Sequence, residues 1–145
     1  MRDAMHNGPV LCSAPILTPE IAALLGRAMF PDPERMVRAL EAYRTEADRK
    51  VFVWMVGGEP VCAAGLRVAG PEAEVLHIGT RLDQVGRGFG HELLRGIAAS
   101  LGLSQLTAET DEDAVGFYRR GGFEVRNAPN RGERRRFFCT LSLER

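Results

Sequence analysis

The segment Val85-Gly86-Arg87-Gly88-Phe89-Gly90 divides the chain and decides how its middle is organised. A β-type stretch ends before it at Thr80, and the apolar spacing after it predicts a helix from Phe89 to Leu101. The segment offers no Ser, Thr, Asp or Asn to cap this helix, so the first N–H groups need another partner. Glycines let a ligand approach the backbone, and a helix start favours an anion. The segment therefore predicts a phosphate-binding turn or a plain flexible turn.

Two common phosphate loops do not fit this turn. A P-loop needs Gly-Lys-Ser/Thr, but Gly90 is followed by His91 and Glu92. A dinucleotide-binding fingerprint needs a third glycine where His91 stands, and the loop from Arg81 to Val85 is long for the tight turn of that fold. A phosphate ligand at this turn therefore belongs to another class.

Hydrophobic periodicity predicts the elements on either side of the turn. A first strand at 10–16 is followed by two helices, which begin at the capping residues Thr18 and Asp32. Further strands are predicted at 51–56, 60–68, 74–80 and 105–109, a short helix at 112–120, and a last strand pair at 122–126 and 135–143. This order predicts an α/β (α+β) fold with a single mixed, mostly antiparallel central sheet and helices on both faces, in one domain over residues 1–145.

Composition limits the partners that we expect. The 145 residues carry a formal net charge of +0, so no overall field favours nucleic acid or an anionic membrane. The three cysteines lie in apolar stretches of the sequence and lack the spacing of metal ligands, which is typical of reduced core residues in a cytoplasmic protein. No apolar run approaches the length of a membrane span, and the first residues lack a signal-peptide pattern. We expect no metal, no nucleic-acid partner and no membrane partner.

Two neighbouring motifs resemble those of the GNAT acetyltransferases. The strand Val75 to Thr80, the glycine turn and the helix after it are similar to that family's acyl-CoA motif, Q/R-x-x-G-x-G/A. The segment Ala114 to Phe123 is similar to the following motif, A-x-x-x-Y-x-x-x-G-F, and the short strand QLTAE lies between them. The chain departs from the pattern at Val85, where the family favours Gln or Arg, and at Asp111, where many members have Asn.

The resemblance implies a function and leaves alternatives. It implies a GNAT-like fold and transfer of an acetyl group from acetyl-CoA, the coenzyme A cosubstrate, to a primary amine of a small molecule. A non-catalytic acyl-CoA-binding module and a protein or peptide N-acetyltransferase stay open, as does a homodimer. We expect the acceptor between the segments 29–33 and 127–133, which are least like the shared core of the family.

The resemblance also implies cofactor-binding residues. Backbone groups of the fourth strand would run beside pantetheine and polarise the thioester, while the next strand, near 106–108, would splay away. The turn would hold the pyrophosphate, and Asp111 would cap the following helix. The implied cofactor-binding residues are Ile78, Gly79, Thr80, Val85, Gly86, Arg87, Gly88, Phe89, Gly90 and Asp111.

Tyr118 and Glu74 are the implied catalytic residues. Tyr118 matches the motif tyrosine that protonates the leaving thiolate, and Glu74 opens the strand on which some members carry a basic glutamate. His77 is a rival base, because an unperturbed imidazole titrates near neutral pH. Strand alternation predicts Glu74 on one face with Ile78 and Thr80, and His77 on the other, where we expect a structural histidine. The arginines at 131 and 134–136 are expected to face solvent on a hairpin.

Overall fold

Seven strands and four α-helices make up residues 10–143, which the computed structural model describes. The strands are β1 (Val10–Ser13), β2 (Arg49–Val56), β3 (Glu59–Ala69), β4 (Glu72–Thr80), β5 (Gln105–Asp111), β6 (Glu124–Arg131) and β7 (Arg134–Ser142). The helices are α1 (Pro19–Gly26), α2 (Pro33–Thr45), α3 (Phe89–Leu101) and α4 (Val115–Arg120), with a 3₁₀ turn at Leu82–Gln84. The strands form one sheet in the order β1-β2-β3-β4-β5-β7-β6.

The sheet is mixed and mostly antiparallel, as predicted. β4 and β5 run parallel, and the other neighbouring strands pair antiparallel. The tight turn between β2 and β3 consists of Gly57 and Gly58, which both adopt positive φ, at 60° and 82°. Such a pair suits the twist of a two-residue hairpin, so the Gly-Gly signal in the sequence was sufficient to predict this connection.

Side-chain caps fix the starts of α1 and α2. The Thr18 hydroxyl accepts the Ile21 N–H at 3.3 Å, and a carboxylate oxygen of Asp32 accepts the N–H groups of Glu34 and Arg35. Proline follows both caps, where its missing N–H costs nothing. Both predicted caps are confirmed. No helix of the described residues is long and apolar enough to span a bilayer.

Two hydrophobic cores lie on the two faces of the sheet. The larger is on the face covered by α3 and α4, called the α3 face, and includes Leu66, Leu93, Ile97 and Leu106, each 0% exposed. The smaller is on the opposite face, called the α1 face, under α1 and α2, and centres on the fully buried Leu25. Helices therefore cover both sides of the sheet, as predicted.

A β-bulge in β4 corrects the predicted facing of its side chains. Gly65 of β3 pairs with His77, but the next residue, Leu66, pairs with Val75, so Leu76 is an extra residue of β4. Two adjacent side chains, Leu76 and His77, therefore both lie on the α1 face. The prediction that placed Glu74 with Ile78 and Thr80 is wrong, because the bulge reverses the alternation between them.

Several predicted boundaries also need correction. β4 begins at Glu72, so Glu74 is its third residue and does not open the strand. β1 ends at Ser13 rather than at residue 16. α4 begins at Val115 rather than at residue 112, because a carboxylate oxygen of Asp111 accepts the N–H groups of Asp113 and Ala114 in a turn before the helix. β6 continues to Arg131, so most of the predicted loop at 127–133 is strand.

Candidate active site

The glycine turn leaves the start of α3 open. Gly86 and Gly88 adopt positive φ, at 88° and 83°, and a Cβ atom on either would meet no atom within 4 Å. No side chain caps the helix. The Glu92 N–H reaches the Gly88 carbonyl at 3.1 Å, which leaves the N–H groups of residues 89–91 directed out of the helix end. The turn therefore presents free donors and open space to an anion.

Gly90 has a different structural role from Gly86 and Gly88. A Cβ atom there would lie 2.7 Å from the Phe117 ring and 3.7 Å from the Ile78 side chain. His91 stacks on Phe117 with ring centroids 4.4 Å apart and bonds to its carbonyl through Nε2 at 2.7 Å. The small size of Gly90 thus brings the glycine turn, β4 and α4 together at one place.

Tyr118 lies beside this junction in the core of the α3 face. Its ring is 6% exposed and makes edge contacts with Phe117 and Phe123, at centroid distances of 5.0 and 5.2 Å. No hydrogen bond between described residues involves its hydroxyl, which is also not one of their fully buried unpaired polar atoms. Burial, and to a lesser extent the nearby Cys139, raise the pKa of Tyr118 above its ordinary value. The phenol is therefore protonated at neutral pH and free to donate.

β4 and β5 separate beside the same junction. Their parallel pairing runs from Glu72 and Gln105 to Val75 and Ala108 and then stops, although both strands continue. The separation begins after Ala108, and the expectation that the strand already splays at residues 106–108 is wrong, because those residues are paired. The edge of β4 that faces β5 is consequently free over residues 76–80, directly after the bulge.

The end of α1 packs against the α1 face of β4. A Cβ atom on Gly79 would overlap the carbonyl oxygen of Leu24, so only glycine allows this approach of helix and strand. The Arg27 guanidinium donates a hydrogen bond to the Thr80 carbonyl. Thr80 also contacts Cys62 through its hydroxyl, with 3.2 Å between oxygen and sulfur. These contacts hold the free part of β4 in place.

The open helix start and the separated strands are features that an acyl-CoA enzyme of this fold requires, and the comparisons with known proteins agree. The model of the acetyltransferase (GNAT) family matches residues 18–123. The chain belongs to the GNAT acetyltransferase family. It is therefore an acetyltransferase of the class that uses acetyl-CoA as cosubstrate, and the resemblance noted in its two motifs is confirmed.

Solved structures of GNAT enzymes share the fold over nearly the whole chain. An acetyltransferase from Thermus thermophilus is 26% identical, with a TM-score of 0.67 over 92% of this chain and 97% of that one. An aminoglycoside 6'-N-acetyltransferase complexed with coenzyme A is 13% identical, with a TM-score of 0.73 over 94% and 98%. The ribosomal-protein-S18-alanine N-acetyltransferase of Escherichia coli is 21% identical, with a TM-score of 0.69 over 94% and 95%. No curated protein sequence matches this chain.

Glu74 lies on the α1 face of β4, close to the point where β4 and β5 separate. Its carboxylate pairs with the Arg67 guanidinium at 2.7 Å, and its side chain is 34% exposed. In the parallel register it stands opposite Thr107, one residue before the last paired position. His77 lies on the same face, where its Nδ1 atom is 2.7 Å from the Tyr43 hydroxyl. The bulge therefore places the two candidate bases on the same side of the sheet.

The hairpin arginines pair with carboxylates at and just after the end of β5. Arg131, Arg134 and Arg135 are also exposed to solvent, as predicted, whereas Arg136 is only 21% exposed. Arg136 and Arg131 approach Glu109 at 3.3 and 3.7 Å, and Arg134 approaches Asp111 at 3.1 Å. Arg135 approaches Glu112 at 3.5 Å. Sequence reasoning missed Glu109, although the alternation of buried and half-buried residues along β5 puts it on the α1 face beside the separation. Asp111 thus has a structural partner in addition to the turn that it caps.

Two clefts lie near these elements. One of about 800 Å³ is bounded by α1, the β2–β3 turn and residues 81–83, on the β3 side of β4. The other, of about 410 Å³, is bounded by Pro33, Glu34, Val37 and Arg38 at the start of α2. Neither cleft is lined by residues of the free β4 edge or of the open helix start.

Proposed function

We propose that this GNAT enzyme acetylates the primary amine of a small molecule, at the point where β4 and β5 separate. The observation that supports the location is the free edge of β4 after Val75. There Ile78 lies beside the open start of α3 and Phe117, the residue next to Tyr118. A thioester in this gap would meet backbone hydrogen-bonding groups on one side and a phenolic proton donor on the other.

Acetyl-CoA would bind with its pyrophosphate on the glycine turn and its pantetheine arm along β4. The N–H groups of residues 86–91 would bind the phosphate oxygens, and Val85 would contribute its backbone rather than a side chain. Arg87 would pair with the phosphates through its guanidinium. The pantetheine arm would follow Ile78, Gly79 and Thr80. Open space at Gly86 and Gly88 supports this arrangement, because it leaves room for a bulky anion.

The proposed reaction transfers one acetyl group and moves two protons. The neutral amine nitrogen attacks the thioester carbonyl carbon, the carbon–sulfur bond breaks, and its electron pair leaves with sulfur. Tyr118 would supply the proton that the sulfur takes, and Glu74 would accept the proton that the nitrogen loses, directly or through water. The ion pair with Arg67, at 2.7 Å, supports a fixed direction of the Glu74 carboxylate near the end of the paired part of β4.

The acceptor would enter over the α1 face at the ends of β4 and β5. The segment 29–33 follows α1, whose last turn contacts Gly79 and Thr80, and the β6–β7 turn extends past Asp111 at the end of β5. The carboxylates Glu109 and Asp111 at this edge are paired with arginines, so charges of both signs alternate there. This mixed edge favours a small acceptor over the charged tail of a protein, which would need a continuous groove of one sign.

A turnover screen tests the proposal. Acetyl-CoA would be incubated with panels of small amines, amino acids and peptides, while release of free thiol and the acetylated product are followed together. We expect at least one small amine to be acetylated, with peptides poorer. Turnover of peptides or protein N-termini alone would overturn the choice of acceptor. A background rate unchanged by every amine, with acetyl-CoA bound, would overturn the proposed reaction.

A further inference from the structure

The Tyr43 side chain of α2 reaches the bulge of β4 through a space that only glycine provides. A Cβ atom on Gly65 would overlap the hydroxyl and ring carbons of Tyr43, so the ring lies directly on the β3 backbone. Gly65 is also the residue that pairs with His77, at the point where the β3–β4 register shifts. The Tyr43 ring, the glycine and the bulge are therefore parts of one packed unit, which we call the bulge lock (Tyr43, Gly65 and His77).

A hydrogen bond completes the bulge lock. The Tyr43 hydroxyl and His77 Nδ1 are 2.7 Å apart, and their rings meet edge-on with centroids 5.7 Å apart. Tyr43 is 9% exposed, and among the described residues its hydroxyl has no other partner. A buried hydroxyl that donates to Nδ1 is satisfied, whereas one that only accepts from Nδ1–H leaves its own proton unpaired. The first arrangement places the imidazole proton on Nε2.

Burial and nearby charges favour the uncharged forms of both Tyr43 and His77. Burial first, and the Arg49 guanidinium second, lower the pKa of His77 to about 4. Burial also raises the pKa of Tyr43, with a smaller opposing effect of Arg49 and a smaller raising effect of Glu74. At neutral pH the pair is thus an uncharged phenol and an uncharged imidazole.

We propose that Tyr43 is a positioning residue for acetyl transfer, because its hydroxyl holds His77 and thereby fixes the bulge where β4 separates from β5. This inference rests on the proposed function, in which the free edge of β4 binds the thioester. It also gives His77 a role. With Nδ1 occupied by Tyr43 and a proton on Nε2, His77 has no lone pair for the amine proton, so it is a positioning residue and not the general base.

Three variants test the bulge lock with an amine that the enzyme accepts. Tyr43→Phe keeps the ring on Gly65 but removes the donor, and we expect kcat to fall between about 10- and 100-fold, as misplacement of reacting groups commonly costs. The dissociation constant of acetyl-CoA should change less than about twofold, because the phosphates bind at the open helix start. His77→Leu should lower kcat by a similar factor, and the double variant should be no worse than either single one.

His77→Asn is the matched control, because its amide oxygen lies near the position of Nδ1 and can accept from Tyr43. We expect its kcat within about threefold of the unaltered enzyme, with the same pH profile. An Asn variant as slow as the Leu variant would make His77 a base and overturn the inference. A folded Tyr43→Phe enzyme with unaltered kcat would overturn it as well.

Nuclear magnetic resonance separates failure of this inference from failure of the proposed function. The ¹⁵N shifts of His77 should show an unprotonated Nδ1 and a protonated Nε2, and Tyr43→Phe should alter them. Amide exchange of residues 76–78 should become at least about tenfold faster in Tyr43→Phe, as expected when the bulge opens more easily. These measurements need no acceptor. Unchanged shifts and exchange rates in that variant would overturn the inference even if acetylation is observed.

Discussion

Removal of the Tyr118 hydroxyl is the perturbation that best separates chemistry from packing. Tyr118→Phe keeps the edge contacts with Phe117 and Phe123 at 5.0 and 5.2 Å. It removes a hydroxyl that has no hydrogen-bond partner among the described residues, so no bond within the folded protein is lost. We therefore expect the free energy of unfolding to change by less than about 1 kcal/mol. Affinity for acetyl-CoA should change little, because the phosphates would bind at α3.

The rate should respond much more strongly. General acids typically contribute about 10²–10⁴ in rate, and each tenfold corresponds to about 1.4 kcal/mol of barrier. We expect kcat to fall at least about tenfold, because water can replace part of the donor. Since burial raises the pKa of Tyr118, no loss of activity from its ionisation should occur below about pH 10. Thiol release measured where chemistry limits the rate checks this. Unaltered turnover by the folded variant would refute the reasoning and make Tyr118 a core aromatic only.

Three further predictions concern the glycine turn and the α1 face. Gly88→Asp and Gly88→Ala should both fold, and the positive φ should cost each variant about 1–2 kcal/mol of stability. Calorimetry should show that the Asp variant binds coenzyme A far more weakly than the Ala variant does. Equal affinities of the two variants would contradict a phosphate site. Gly90→Ala should lower stability by about 1–3 kcal/mol, since its Cβ would lie 2.7 Å from Phe117; an unaltered melting temperature would argue against this contact. Between pH 6.5 and 4 the unfolded chain binds a proton that His77, with its pKa lowered to about 4, does not bind when folded. Stability should therefore fall by up to about 3 kcal/mol as the pH drops through this window. The free energy of unfolding of His77→Asn, measured with denaturant across this window, should fall less than that of the unaltered protein. Equal falls in the two proteins would contradict this prediction.

Local signals were sufficient for most of the fold. Thr18, Asp32 and the Gly57-Gly58 turn specify their structures through neighbours a few residues away, and all three were predictable. The open start of α3 was predictable for the same reason, because the absence of a capping side chain is visible in the sequence. The resemblance of the two motifs to the GNAT family then implied that the turn and Tyr118 serve one site.

The facing of Glu74 and His77 was not predictable from alternation. The bulge at Leu76 depends on the register with β3, and that register places Gly65 under a tyrosine from α2. Contacts between residues distant in sequence leave no local pattern. The carboxylate partners of the last hairpin's arginines were not predictable for a related reason, because Glu109 and Asp111 lie on a strand more than twenty residues earlier.

We propose that acetyl-CoA binds between the open start of α3 and the free edge of β4. Backbone amide shifts and exchange rates, followed while acetyl-CoA is titrated into the enzyme, test it most directly. We predict that the largest changes and the strongest protection occur at residues 86–91 and 76–80, with Gly88→Asp abolishing both. Saturable binding that leaves these amides unchanged, with the changes clustered instead around the 800 Å³ cleft between α1 and the β2–β3 turn, would contradict the account.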